Sequence, residues 1–276
     1  MLNKVSFYMP PFPRVKSYYD MIDVALEHGL KSVEGFCNMD FETPDLEAAR
    51  KIKKYADEKG VIFPCFSVYI NLVGEDADEM KEKLKGYADV AKILGSPYLH
   101  HTIANDFSNP DNVVPFKEEF FKKGVETVRE IYDYAESLGV KAIYEEQGYL
   151  FNSVEGFKRF LDAVDREVGV VADFANIYQS GDKIEDFINA FADRFVHAHI
   201  KNVTLTDTNE TGEGLKTLAG NYMNEAEVDK GVVDCKKIID MLKKAGYNGY
   251  YGLEFSAKTD DSSAITDALK LIDSWL

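Results

Sequence analysis

Phe195-Val196-His197-Ala198-His199 is a short apolar strand that ends on an imidazole, directly after a helical stretch. Three other segments share that design: Val140-Lys141-Ala142-Ile143-Tyr144-Glu145, Val168-Gly169-Val170-Val171-Ala172-Asp173 and Tyr250-Tyr251-Gly252-Leu253-Glu254. Each closes on a residue type that binds metal ions. A carboxylate or imidazole ending a buried strand is costly unless a partner, ideally a cation, offsets the lost hydration. Four such ends, on strands that a barrel brings together, read as one metal site.

Around these segments the chain alternates strand and helix patterns, which predicts a parallel sheet with right-handed crossovers. The strands are expected at 4–8, 31–36, 61–66, 97–102, 140–145, 169–173, 195–201 and 250–255. The helices are expected at 15–28, 45–59, 77–94, 116–138, 153–167, 182–193, 233–245 and 261–275. In the fourth helix Phe121, Val125, Val128, Tyr132 and Ala135 recur at steps of four and three, one apolar stripe against a sheet. Gly29, Gly60, Gly95, Gly139, Gly169 and Gly246 each follow a helical stretch and precede a strand, as left-handed helix ends do. Thr43-Pro44-Asp45, and Ser153 with Glu155 nearby, mark helix starts. The long connections 103–115 and 202–231 follow strands, on the end that carries the polar residues. With 276 residues, close to the roughly 250 of one eight-stranded β/α barrel, and no Pro/Gly/Ser-rich linker, the expectation is an α/β fold. It is a single (β/α)8 TIM barrel over 1–276, with its active site at the C-terminal face of the strands.

Composition excludes several classes. The net charge of −16, from 32 basic and 48 acidic residues, opposes a nucleic-acid partner, whose non-specific affinity comes from Lys and Arg. No apolar run is long enough for a bilayer, and no charged-then-apolar secretion signal opens the chain, so neither a membrane partner nor export is expected. Cys37, Cys65 and Cys235 are an odd, widely spaced set, which argues against a disulfide framework or a Cys-type zinc site and for a cytoplasmic protein. There is no G-x-G-x-x-G and no P-loop, and no nucleophile elbow supports a Ser/His/Asp triad. Gly212-Glu213-Gly214 reads as a loop turn.

Parity sharpens the metal site. Residues two apart on a strand share a face, so if Ile143, Val171 and Gly252 line the barrel, Glu145, Asp173 and Glu254 reach inward at its top. His199 joins them, and is favoured over His197 one layer deeper. Glu145 is favoured over the adjacent Glu146. Three carboxylates and one imidazole suit Mn2+, Mg2+ or Co2+ better than a thiolate-type zinc site. His100 and His101 end the fourth strand, and only one of them can face inward. Either is a candidate substrate donor. Lys201, on the His199 face, is a candidate for a substrate oxygen or phosphate, and Glu34 on the second strand for a substrate contact.

The string Phe195-Val196-His197-Ala198-His199-Ile200-Lys201-Asn202 resembles the "hvHlkD" strand of the xylose-isomerase-like sugar isomerase/epimerase superfamily. Tyr144-Glu145-Glu146-Gln147-Gly148 is similar to its "lEnhg" segment, Asp173-Phe174-Ala175-Asn176 to "DxgH/N", and Gly246 to Glu254 to "GYxGxxxxE". The resemblance implies that Glu145, Asp173, His199 and Glu254 hold one divalent cation, Mn2+ first, with Mg2+, Co2+ or Zn2+ as alternatives. By similarity to the ketose 3-epimerases, Glu145 and Glu254 also move the substrate proton. Asn176 stands where a His is frequent and is assigned to substrate binding. Asn202 replaces the Asp of "HlkD", and Lys230-Gly231-Val232-Val233-Asp234 lacks the acidic residue of the usual "GeGxid" loop. The expected activity is isomerisation or epimerisation of a sugar or sugar phosphate through an enediolate, by a chain that could form a homo-oligomer. The rivals are a keto-inositol or keto-acid dehydratase or lyase, an apurinic-site endonuclease, and a non-catalytic sugar-binding protein.

Overall fold

The computed structural model describes residues 2–104, 118–147, 153–210, 212 and 214–276. The barrel strands come first as β1 (Val5–Phe7), β2 (Gly35–Phe36), β3 (Phe66–Val68) and β4 (Tyr98–His101). They continue as β5 (Lys141–Tyr144), β6 (Gly169–Asp173) and β7 (Phe195–Ile200). A smaller sheet is built from β8 (Asn202–Thr206), β9 (Leu215–Lys216) and β10 (Tyr222–Ala226), and β11 (Tyr250–Leu253) completes the barrel set. The large sheet runs β1-β11-β7-β6-β5-β4-β3-β2, with every pairing parallel. A parallel bridge from Phe7 to Val33, with Glu34 N donating to Phe7 O at 2.8 Å, links the two ends of that order. The result is the curled eight-stranded α/β barrel that the alternating pattern predicts.

Helices α1 (Tyr18–Glu27), α2 (Leu46–Lys59), α3 (Ala77–Leu94) and α4 (Glu118–Ser137) cover the outside of the first half. Helices α5 (Val154–Val164), α6 (Ile184–Ala190), α7 (Cys235–Lys244) and α8 (Ser263–Trp275) cover the second. The α4 stripe behaves as its period requires: Phe121, Val125, Val128, Tyr132 and Ala135 are all buried. Ser17 caps α1 in a reciprocal capping box with Asp20, and Asp45 caps α2 through Glu47 N and Ala48 N. Apolar material divides into two bodies. The large one lies between helices and sheet, and a small one of Cys65, Ile143 and Val171 fills the lower barrel interior. Above it the interior turns polar, and that change of character positions the site.

Three expectations are corrected. Gly169 lies inside β6, and the left-handed residue ending α5 is instead Asp165 at φ 54°. Gly29, Gly60, Gly95, Gly139 and Gly246 do have positive φ. The third strand begins at Phe66 rather than 61, because Pro64 has no N–H to give a ladder. The connection after β7 is not loop throughout. Residues 202–206 and 222–226 pair antiparallel, with Val203 opposite Glu225 and Leu205 opposite Met223. The alternation Asn202-Val203-Thr204-Leu205-Thr206 is a strand signature in itself. Most of the expected 103–115 connection, along with Gly148 and Glu213, lies outside the described residues.

Candidate metal centre

The registers of the sheet converge the polar strand ends. Asp173 pairs with His199, and His199 with Gly252, so β6, β7 and β11 end at one level. An extra residue, Val196, bulges β7 between its partners Val170 and Val171. His197 is thereby set opposite Val171, and the inward parity runs from there to His199 and Lys201.

His199 Nδ1 is the focus of this level. It lies 3.3 Å from Glu145 Oε2, 3.8 Å from Asp173 Oδ2 and 3.9 Å from Glu254 Oε2. The donor atoms of Glu145, Asp173 and His199 all fall within 4.8 Å of one another. Asp173 commits Oδ1 to the backbone N–H groups of Ala175 and Asn176, at 2.8 and 2.7 Å, and so holds Oδ2 towards the histidine. Glu145 Oε2, Asp173 Oδ2 and His199 Nδ1 are buried without any hydrogen bond. A buried polar atom without a partner is costly, and three of them facing one another fit a shared cation. The hard, oxygen-rich donor set suits an ion of the Mn2+ or Mg2+ kind.

Burial opposes ionisation of Glu145, but the neighbouring His100, His199 and Lys201 outweigh it and hold its carboxyl below the usual range. For Glu254 burial wins over Lys201, with Asp173 and Glu145 adding to it, and its carboxyl is pushed up to about 7. Lys201 Nζ bonds Glu254 Oε1 at 2.6 Å and Asn176 Oδ1 at 3.2 Å. Despite burial, Glu254 and Asp173 hold the ammonium well above its ordinary range. Glu254 therefore meets the cluster with one oxygen and a lysine with the other.

The two neighbouring histidines of β4 part ways. His100 faces inward, with Nδ1 at 3.0 Å from Ser67 Oγ and Nε2 at 3.5 Å from Glu145 Oε1. His101 faces the helices, where Nδ1 bonds Thr102 O at 2.8 Å and Nε2 bonds Tyr144 Oη at 2.7 Å. Burial lowers the His101 imidazole to about 3, so it is a neutral element of packing. Glu34, expected at the substrate, sits instead beneath the cluster with no exposed surface. It binds His197 Nε2 at 2.7 Å, His199 Nε2 at 3.1 Å and Ser67 Oγ at 2.8 Å. Burial opposes its charge, but the two histidines outweigh that and hold its carboxyl well below the usual range. Glu34 precedes the paired residues Gly35–Phe36 of β2 instead of ending the strand, and parity alone does not reveal that depth.

Two further residues border the site: Tyr8, which a search for ligand types passes over, and Glu146, which ranks behind Glu145 in that search. Tyr8 stacks on His199, with ring centroids 4.4 Å apart and planes at 10°. Its parity with Ser6 on β1 is the signal that could have found it. Glu146 is fully buried and neither of its oxygens has a hydrogen bond. Burial, then Asp173 and Glu145, raises its carboxyl well above the usual range.

Comparisons with known proteins follow the same lines. The chain is 23% identical over 197 residues to an inosose dehydratase of Geobacillus thermodenitrificans (strain NG80-2), covering 66% of this chain and 65% of that one. It is 27% identical over 183 residues to an inosose isomerase of Bacillus subtilis (strain 168), covering 64% of this chain and 60% of that one. The chain thus spans just under two thirds of the length of these relatives. The fold is shared with D-psicose 3-epimerase from Clostridium cellulolyticum H10, solved with D-tagatose, at a TM-score of 0.77, 17% identity and 99% coverage of both chains. It is shared also with the IOLI protein solved with a binding zinc atom, at a TM-score of 0.76, 20% identity and coverage of 98% and 97%. Residues 22–275 match the family described as xylose isomerase-like TIM barrel, and the chain belongs to that family.

Proposed function

We propose that this protein is a divalent-metal-dependent isomerase or epimerase of sugars or sugar phosphates that works by removing a proton next to a carbonyl. One observation carries the reading: unpartnered buried donor atoms of Glu145, Asp173 and His199 face one another, with Glu254 beside them. Glu145, Asp173, His199 and Glu254 hold one cation, Mn2+ by preference, with Mg2+, Co2+ or Zn2+ as alternatives. When bound, such an ion polarises a carbonyl and offsets the negative charge that deprotonation creates.

The residues of the chain divide the remaining work. Glu254 follows β11 on one flank of β7, and Glu145 follows β5 beyond β6 on the other. A sugar carbon between them meets one carboxylate on each face. In an epimerase one glutamate removes the proton and the other returns it from the opposite face. In an isomerase a single glutamate carries it to the adjacent carbon. Lys201, Asn176 and His100 bind substrate oxygens around that carbon. The relatives, an inosose dehydratase, an inosose isomerase and a D-psicose 3-epimerase, support a sugar-like ketone as the substrate class. The chain works as one domain over 1–276, in the cytoplasm, with no nucleic-acid or membrane partner, and homo-oligomers are compatible with this activity. Among the described residues no helix is long and apolar enough to cross a membrane.

The inosose dehydratase relative favours a second reading. Dehydration begins with the same proton removal and then expels a neighbouring hydroxyl as water. Metal-loaded protein in D2O, offered a panel of ketoses, their phosphates and keto-inositols, tests both. Deuterium entering beside the carbonyl with inversion or migration supports the first reading. Growth of enone absorbance supports the second, and no exchange on any member of the panel sinks both.

A further inference from the structure

We propose that Glu34 is a positioning residue that selects which ring nitrogen His199 and His100 turn towards the carboxylates. The inference rests on the reading that Glu145, Asp173, His199 and Glu254 hold a cation, and it adds a layer beneath them. A carboxylate accepts hydrogen bonds and donates none. Glu34 Oε1 receives His199 Nε2 at 3.1 Å and the Ser67 hydroxyl at 2.8 Å, and Oε2 receives His197 Nε2 at 2.7 Å. His199 must therefore carry its hydrogen on Nε2, and Nδ1 is the atom left for the cation.

The same carboxylate sets His100 through one intermediary. Ser67 has a single hydroxyl hydrogen and gives it to Glu34, so towards His100 Nδ1, 3.0 Å away, it can only accept. That places the His100 hydrogen on Nδ1. Its Nε2 becomes a bare lone pair, without a hydrogen bond and 3.5 Å from Glu145 Oε1. Two rings thus present opposite nitrogens, His199 its Nδ1 and His100 its Nε2, to one cluster. His100 is thereby an acceptor for a substrate hydroxyl. Geometry protects the arrangement from β11 as well. A Cβ added at Gly252 would stand 2.6 Å from Glu34 Oε2 and 3.0 Å from His199 Cδ2. Tyr8 stacked on His199 restrains the plane of the ring. Partners of this kind behind a ligating histidine typically tune metal affinity 10–100-fold.

Long-range 1H–15N NMR on histidine-15N protein, with and without Zn2+ as a diamagnetic probe, reads the hydrogens directly. The expected pattern is a hydrogen on His199 Nε2 in the zinc form and on His100 Nδ1 in both forms. Ser67→Ala should disturb only the His100 pattern. Glu34→Gln, which offers one acceptor oxygen in place of two, should disturb both rings and weaken zinc about 10–100-fold. Gly252→Ala should weaken zinc in the same direction by crowding Glu34 and His199, with neither side chain replaced. Because Ser67→Ala removes one buried hydroxyl only, it keeps the proposal testable if Glu34→Gln does not fold. A hydrogen on His100 Nε2 in the native protein overturns the proposal, as does an unchanged His100 pattern in Ser67→Ala. Two zinc ions per chain would also overturn it, by making Glu34, His197 and His199 a metal site in their own right. None of these readings needs a substrate, so inactivity on every sugar leaves them standing and counts only against the proposed reaction.

Discussion

Lys201 Nζ sits 2.6 Å from Glu254 Oε1, whereas among the described residues Glu145 has no lysine bonded to it and faces His100 and His199 instead. The two glutamates that flank the cluster therefore have unlike surroundings. One is paired with a fixed ammonium and has its carboxyl pushed up to about 7, and the other is held below the usual range. Replacing Lys201 with Met removes the stronger of the two neighbours, Lys201 and His199, that favour the Glu254 charge over burial. The pH at which metal binding reaches half its maximum should then move up from that of the native protein. Lys201→Arg should move it much less. Isothermal titration of Mn2+ across a pH series measures both, and an unshifted midpoint in Lys201→Met contradicts the coupling.

Metal removal links the same carboxyl to stability. Because Glu254 has a folded pKa of about 7 against an ordinary 4.5, the metal-free fold binds a proton that the unfolded chain has released between those values. Its contribution to stability is complete below about 4.5 and is lost as pH rises through about 7. A cation must displace that proton, so metal affinity should rise with pH over the same window. Chelator should lower Tm most at pH 8, where repulsion among the carboxylates is greatest. Restoring metal at about 100 times its Kd should return roughly 2.7 kcal/mol. Equal melting with and without metal at pH 8 would sink the cation assignment.

Conservative removal of the bases separates binding from chemistry. Glu145→Gln and Glu254→Gln each keep an oxygen but lose a base and one negative charge. Metal affinity should fall in part, and turnover by at least about 10²-fold, the lower end for general acid–base catalysis. If the reaction is epimerisation, each variant should still exchange the proton on one face with solvent, giving deuterium without inversion. Asn176→Ala should raise KM with little change in metal content. Near-native turnover in both metal-loaded glutamine variants would remove these residues from the reaction.

Periodicity made much of this arrangement legible before any coordinates. A two-residue period and glycine punctuation place Glu145, Asp173, His199 and Glu254 on inward faces, and these four side chains do meet around His199 Nδ1. Parity could not choose between His100 and His101, because that choice depends on the absolute face. Only the packing of His101 against Tyr144 settles it. Nor could it place Glu34 in depth. The level at which a side chain sits follows from the stagger of neighbouring strands, a non-local quantity. The small sheet from β8 to β10 was hidden for another reason. β8 carries the alternation of a strand, but its partner β10 lies beyond residues 207–221, and no local signal joins strands that far apart.

Asn202 stands where the family resemblance expects Asp, and its hydrogen bonds say why. Its Oδ1 accepts from Val203 N and Val233 N, both at 2.9 Å, while Nδ2 donates to Val228 O at 2.8 Å and Val233 O at 3.0 Å. The side chain is buried, and three of these four bonds tie residues 228–233 to the start of β8. Gly231 completes the fit, since a Cβ there would lie 2.0 Å from Asn202 Oδ1. A carboxylate could serve the two N–H groups but would face the two carbonyls with no hydrogen to give. Asn202→Asp should therefore destabilise the fold by about 1–3 kcal/mol, the usual cost of leaving a buried polar group unsatisfied. The loss should grow with pH, because burial without a donor favours the protonated acid, which can still reach one carbonyl. Metal content should stay native, since Asn202 bonds none of the four cluster residues. Urea unfolding at pH 5 and pH 8, with metal analysis of the same samples, checks each part. Native stability at pH 8, or loss of metal without loss of stability, would mean that Asn202 serves the site directly.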